Sequence, residues 1–528
     1  MKRTFITATL IIFAVFVTQA QKLTFEKTYE VEGKAKRGFL DEVYINPSDK
    51  TTVLSFGTKV NTSKTLSGKG DKVKIKYQNY IFDKDYNFVK IEEKEEEYKA
   101  GKFKGEYFVV EGVSIGAGIG GMVLKKKKIE YTWSWYNKNY NKKVTLLDKV
   151  KPKTEDGNRF AQLKVFENDE TGDAFALVIV IPTRDNPNVD PLEYHFLRVN
   201  NDLSVEVVET MKFEKQMSLF TTFTIPAEGE NESDEICMLF KASNATDKDK
   251  LGDKNDYEMW RVSNQGKLLK RVPFKVKASD WDIEQMISKQ GSLYFVGPAK
   301  EGKDLSTSKV TFSASWGDNP KWKIYQLAKI TGDKVDYVTT TNLEDFETKL
   351  KKPENQKKSP AYSGKRFDFN YTAVAKDGSL FICGQNLNSK GEHLDILMFY
   401  FDNTGILKAQ YGVRPEEMND VAKFNSCTQF IKFTDKYAYW EVWEMVGFKE
   451  EAGNGEKPKA LVYPNIAKID LATGEISNFQ KFGTVKDKPT YFLQNDFPNI
   501  TNPDDGSYTY LGLNKKGNIF WFGKIGFE

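Results

Sequence analysis

The stretch MFYFDNTGILKAQY, Met398 to Tyr411, reads as two strands folded about a tight turn. An aromatic run enters Asp402-Asn403-Thr404-Gly405. There Asp holds nearby backbone N–H groups and Gly supplies a left-handed conformation. A second strand leaves with mixed apolar and polar positions. Six further stretches share this layout: YIFDKDYNFVKI from Tyr80, YTWSWYNKNYNKKVTLL from Tyr131, YHFLRVNNDLSVEVV from Tyr194, YEMWRVSNQGKLLKRV from Tyr257, YQLAKITGDKVDYV from Tyr325 and IAKIDLATGEISNF from Ile466. With turn centres at Asp85, Asn139, Asp202, Gln265, Gly332, Thr404 and Thr473, the steps are 54, 63, 63, 67, 72 and 69 residues.

A second class of hairpin falls between these. Its clear members are GSLYFVGPA from Gly291, DGSLFICGQNL from Asp377, DKYAYWEVWEM from Asp435 and KGNIFWFGKIGF from Lys516. Weaker copies start at Thr51, Gly121, Asp173 and Asp234, giving eight against seven of the first class. A repeat of roughly 65 residues suits a decorated four-stranded unit. The class imbalance predicts that LTFEKTYEV, from Leu23, completes the last unit and closes a ring. The fold expected is all-β: a single β-propeller over 21–528, eight-bladed, with seven blades as the alternative because 101–150 is short and irregular. Two β-sandwiches would supply strands but not the steady step. Helix is expected to be scarce, with the best candidates at Glu416 to Phe424 and in the Lys-rich stretch from Asn342 to Lys358, the latter read as a loop excursion.

Composition narrows the chemistry. The 78 Lys and Arg nearly balance 74 Asp and Glu, so no global charge draws the chain to nucleic acid or an anionic membrane. Three Cys without a CxxC pair exclude a disulfide scaffold, and two His leave little scope for His-dependent catalysis. At the start, Lys2 and Arg3 precede an apolar run from Leu10 to Val17 and small residues at Thr18 and Ala20. This pattern predicts a signal peptide over 1–20 and an exported mature chain without a transmembrane anchor.

Five motifs are candidates for chemistry. Gly116, Gly118 and Gly121 spell GxGxxG, but YTWSWY follows where a dinucleotide fold needs a helix, so a bend between strands is expected. Asp247, Asp249, Asp253, Asn255 and Glu258, with Gly252, approximate a twelve-residue calcium loop. Leu251 stands at a ligand position, so a solvated acidic loop is the competing reading. Lys125, Lys126, Lys127 and Lys128, with Lys138, Lys142 and Lys143, surround Trp133, Trp135 and several Tyr. Such a mixture either clamps a ligand or protects a sheet edge. His195 and His393 are expected on a half-buried strand and a surface loop. Cys237, Cys383 and Cys427 are expected as buried thiols, with a Cys383–Cys427 bridge left open. Five N-x-S/T triplets, at Asn61, Asn231, Asn244, Asn370 and Asn499, carry no weight in so Asn-rich a chain.

IDLATGEI, from Ile469, resembles the turn of pyrroloquinoline-quinone-type repeats, which also build eight blades. The other six hairpins lack it, so the resemblance carries over no cofactor and no catalytic residue. Architecture and export together are similar to accessory subunits of outer-membrane translocons, including plug-type subunits of the type IX secretion apparatus. The expected function is a non-enzymatic binding or scaffold subunit with an outer-membrane or periplasmic protein partner. Contacts would come from insertions at 101–150, 244–256, 341–364 and 447–460. The alternatives are a glycan- or peptidoglycan-cleaving propeller with paired carboxylates and a calcium-dependent adhesin.

Overall fold

A computed structural model describes residues 21–61, 72–99, 101–112, 121–133, 141–167, 172–190, 192–227, 233–242, 253, 255–278, 280–300, 323–364, 366–415, 422–449, 459–502 and 508–527. The leader at 1–20 lies outside them. The described chain lays down eight antiparallel sheets in sequence order, plus a two-stranded ribbon of Thr484–Val485 and Lys488–Pro489. The first sheet holds Phe39–Ile45, Thr52–Asn61, Lys72–Phe82 and Phe88–Lys99; the second holds Gly101–Gly112, Met122–Trp133 and Asn141–Val150. Four-stranded meanders follow from Arg159 to Lys212 and from Met217 to Lys275. The fifth sheet, from Asp280 to Asn342, has its inner strand split into Asp280–Trp281 and Gln285–Lys289. The sixth and seventh span Phe367 to Val413 and Gln429 to Lys481. The eighth joins Tyr491–Leu493, Asn499–Thr501, Tyr508–Asn514 and Ile519–Phe527 to Gln21–Glu30. This is a β-propeller.

Turn chemistry explains the hairpins. Asp402 Oδ1 accepts from the N–H groups of Thr404 at 2.9 Å and Ile406 at 3.1 Å, while Gly405 takes φ +79°. Asp83 holds Asp85 and Asn87 in the same way at 2.9 and 2.8 Å. Ser263 does so for Gln265 and Lys267. Six of the seven first-class hairpins join the third and fourth strands of a sheet. The one at Tyr131 joins the second and third strands of the second sheet, where no fourth follows among the described residues.

The second hairpin class joins first to second strands, except at Lys516, where it joins the second and third strands of the eighth sheet, and its glycines have a mechanical role. The inner strand slips register at Leu40/Glu42, Leu219/Thr221 and Phe369/Tyr371, and its counterpart in the fifth sheet is interrupted around Asp282. Where it bulges, it presses on the neighbouring strand. A Cβ at Gly297 would fall 1.8 Å from the Asp282 carbonyl oxygen, and one at Gly384 would fall 2.2 Å from that of Asp368.

Apolar side chains weld the sheets in order. Met122 and Leu124 of the second pack with Ala176 and Leu197 of the third. Further clusters join third to fourth, fourth to fifth, fifth to sixth, sixth to seventh and seventh to eighth. Leu54, Phe56 and Tyr80 of the first sheet share a core with Leu511, Phe520 and Phe522 of the eighth. Among the described residues, no such cluster joins the first sheet to the second. Buried glutamines reinforce the seams. Gln326 accepts from the N–H groups of Lys277 and Ala278 and donates to the Ala278 carbonyl. Gln385 accepts from the Cys427 N–H at the entry to the seventh sheet.

The expected closure is present. Gln21–Glu30 pairs antiparallel with Ile519–Phe527, from Gln21 opposite Phe527 to Glu30 opposite Ile519. The Lys-rich stretch departs from a pure loop. Leu343–Thr348 is a short helix whose Asn342 and Asp345 form a reciprocal N-terminal cap, and the chain then bonds along Gln410 through Lys349 and Lys351. At the other helical candidate, 416–421 lie outside the described residues and Ala422–Phe424 form a 3₁₀ turn.

Candidate interaction surface

A strand turns successive side chains to opposite faces, so four consecutive lysines cannot form one basic patch. Lys125 and Lys127 share a face with Glu111 and pair with it, the latter at 3.4 Å. Lys126 and Lys128 lie on the other face, Lys126 meeting Glu106 at 3.3 Å and Lys128 meeting Glu130 at 3.1 Å. Hydrogen bonds from these lysines hold the Glu111 and Glu130 carboxyls below their usual range and raise the Lys128 ammonium. The lysine run is therefore a neutralised ladder. Trp133 ends the Met122–Trp133 strand, but its side chain, and Trp135 altogether, lie outside the described residues.

The same sheet divides along its length. Phe108, Val110, Met122, Leu124 and Val150 pack onto the third sheet. The remaining half contributes nothing to that core. On the face carrying Lys125 and Lys127, Phe103 pairs across the strand with Tyr131, their rings 5.0 Å apart, and covers Gly105. Phe103, Tyr107, Val144 and Leu146 are 45, 37, 44 and 53% exposed. Eight of the thirteen exposed large apolar side chains among the described residues belong to the first two sheets, so this exposure is concentrated and not scattered. The sequence marked the segment by its lysines and tryptophans; its usable surface is the apolar stripe.

The other candidates are placed as follows. Asp247, Asp249 and Gly252 lie outside the described residues. Asp253 accepts from the Asn255 N–H and meets Lys275 at 3.2 Å. Glu258 sits on the Asp256–Ser263 strand, where it pairs with Arg271 and accepts the Trp260 indole N–H at 2.6 Å. Among the described residues, no three acidic, His or Cys side chains are grouped to hold a metal ion. Gly121 leads straight into a strand, while Gly116 and Gly118 are outside the described residues. His195 is on a strand, with burial lowering its imidazole. His393 corrects the surface-loop expectation: it opens the His393–Phe401 strand, its side chain is 10% exposed, and Nε2 lies 2.8 Å from Asp368. All three cysteines are buried and free, so the Cys383–Cys427 bridge is not formed.

One constellation was not anticipated. Glu284 sits where the inner strand of the fifth sheet bulges, and its Oε2 is buried without a hydrogen-bond partner. The Tyr325 and Tyr362 hydroxyls are also buried and unpartnered, with ring centroids 6.2 Å apart. Burial raises both phenols, and Glu284 adds to it. Burial pushes the Glu284 carboxyl up to about 8; Asp282 and Asp368 add to this and Arg366 opposes it. At neutral pH the group is largely a carboxylic acid. Glu441 is a contrasting buried carboxylate: it accepts from Trp443 Nε1 at 2.5 Å, Tyr508 at 2.9 Å and Tyr510, all as a structural anchor.

No protein-family model matches the chain, and no curated protein matches it in sequence. Solved structures that it resembles include a Synechocystis apocarotenoid oxygenase, at 10% identity and TM-score 0.29, covering 81% of this chain and 96% of that one. The β-propeller domain of the trilobed protease from Pyrococcus furiosus matches at 9% identity and TM-score 0.22, covering 79% and 95%. Pyrococcus horikoshii acylaminoacyl peptidase matches at 10% identity and TM-score 0.22, covering 92% and 59%. Likenesses this distant carry no functional information.

Proposed function

We propose that the chain is an exported, eight-bladed propeller that serves as a docking or scaffold subunit of a bacterial envelope complex, held at the outer membrane by a protein partner. Each of the eight sheets is one blade, the three-stranded one included. The observation that carries this reading is the uncovered apolar stripe of Phe103, Tyr107, Val144 and Leu146 on the second sheet, beside the one seam without a buried apolar cluster among the described residues. The leader pattern at Lys2, Arg3 and Leu10 to Val17 supports export. A role in protein secretion, as in plug-type translocon subunits, is the finer form of the proposal.

The test is site-specific photo-crosslinking in the native host. A benzophenone side chain at Tyr107 or Leu146 is expected to give one stoichiometric adduct with an outer-membrane protein. The same probe at Lys334, on the distant fifth sheet, is expected to give none. Monomer alone at every position overturns the reading. Glu284 favours a second reading, cleavage of glycan or peptidoglycan fragments, because a protonated acid beside Asp282 and Asp368 is suited to general acid work. Muropeptide release by the intact protein, lost in Glu284→Gln, would support it; no release from either excludes it.

A further inference from the structure

We infer that the Asn141–Val150 strand accepts an extended acidic segment of a partner polypeptide as the fourth strand of the second sheet. This rests on the docking role above and names its mode. Seven of the eight sheets have four strands or more, and this one has three. Its inner strand is identified by contact with the third sheet, where Gly101–Gly112 and Met122–Trp133 both meet Arg159–Glu167. The strand missing from the set is therefore the outermost. Asn141–Val150 pairs on one side only, with Met122–Trp133, among the described residues. Its outward N–H and C=O groups form a template for another strand.

The side chains say what that strand should carry. From Lys142 to Lys149 every residue is exposed. Lys142, Val144, Leu146 and Lys149 share the face of the apolar stripe; Lys143, Thr145 and Asp148 share the other. The Met122–Trp133 lysines are matched to Glu106, Glu111 and Glu130, whereas Lys142, Lys143 and Lys149 have no carboxylate partner among the described residues. An incoming strand with alternating Glu and Val or Thr would bring carboxylates to the unmatched lysines and methyl groups to Val144 and Leu146. The sheet is thus left one strand short and carries uncompensated positive charge along the same edge.

The test uses the full chain and a fluorescein-labelled ten-residue peptide alternating Glu with Val and Thr. Fluorescence anisotropy should show binding, and amide hydrogen exchange should slow at least about tenfold within 141–150. Three changes should each weaken binding about tenfold or more. They are N-methylation of alternate peptide amides, Lys in place of Glu in the peptide, and the paired substitution Val144→Ser with Leu146→Ser, which removes the apolar contacts without adding charge. These protein positions are exposed, and unchanged near-UV circular dichroism would certify the fold. Equal binding of the N-methylated peptide, or binding without protection of 141–150, overturns strand addition. A concentration-dependent dimer in mass photometry that the peptide does not dissolve makes the occupant a second copy and overturns the acidic-partner assignment. Crosslinks at Leu146 with no peptide protection leave the docking role standing and remove only this mode. Protection without any crosslink removes the envelope reading and leaves the edge.

Discussion

The indole N–H of Trp521 donates to the carboxylate of Glu26 at 2.6 Å, joining side chains 495 positions apart. The indole is buried and the carboxylate is exposed, so this bond fastens the first described strand onto the last sheet. Glu26→Gln keeps an acceptor and is expected to be near neutral. Glu26→Leu leaves the indole N–H unsatisfied and should cost about 1 kcal/mol in urea denaturation. An equal midpoint for the two variants would show that the bond does not contribute.

Glu284 sets a pH dependence. Its carboxyl is raised to about 8 in the fold, well above an unfolded glutamate. Between the two values the native state holds a proton that the unfolded chain has released. Stability from this group is therefore fully present at acid pH and declines as pH rises toward 8, with a slope of at most about 1.4 kcal/mol per pH unit. Glu284→Gln should flatten that part of the profile in melts from pH 5 to 9. A parallel profile in the variant would show that another group titrates.

Gly297 and Gly384 are sites where a methyl group has nowhere to go. Gly384→Ala places Cβ against the Asp368 carbonyl and should cost more than about 3 kcal/mol or prevent folding. Gly291→Ala is the matched control. Its φ of +68° strains the backbone, but nothing lies within 4 Å, so about 1 kcal/mol is expected. Equal losses by chemical denaturation would refute the close-approach argument.

The thiols should be silent in the fold. Burial pushes Cys237 and Cys427 up to about 12 and also raises Cys383. Ellman's reagent should find none of the three in native protein and all of them in guanidinium. Rapid labelling of one thiol without denaturant would indicate local opening of that seam.

Much of the architecture was legible because turn chemistry is local. Asp402 with Gly405, and Asp83 with Asn87, mark their hairpins from within a few residues. The closing strand was legible too, because one hairpin class was a member short. The site was harder to read. A lysine run looks like a patch until register divides it between faces, and two of the three glutamates that neutralise it, Glu106 and Glu111, lie on Gly101–Gly112, which no turn signal announced. His393 follows Gly391 and Glu392 and so resembles loop, yet pairing opposite Leu387 makes it strand. Glu284 carries no local mark at all, since its environment is assembled from Tyr325 and Tyr362 on later segments.

The pairing of Gln21–Glu30 with Ile519–Phe527 also orders events in time. The first of the described strands to be synthesised has its mate in the last of them. During synthesis its hydrogen-bonding edge and the aromatic floor of Phe520 and Phe522 are never available together. Closing this sheet is therefore a slow, non-local step that must wait until the strands of the other seven sheets have been made.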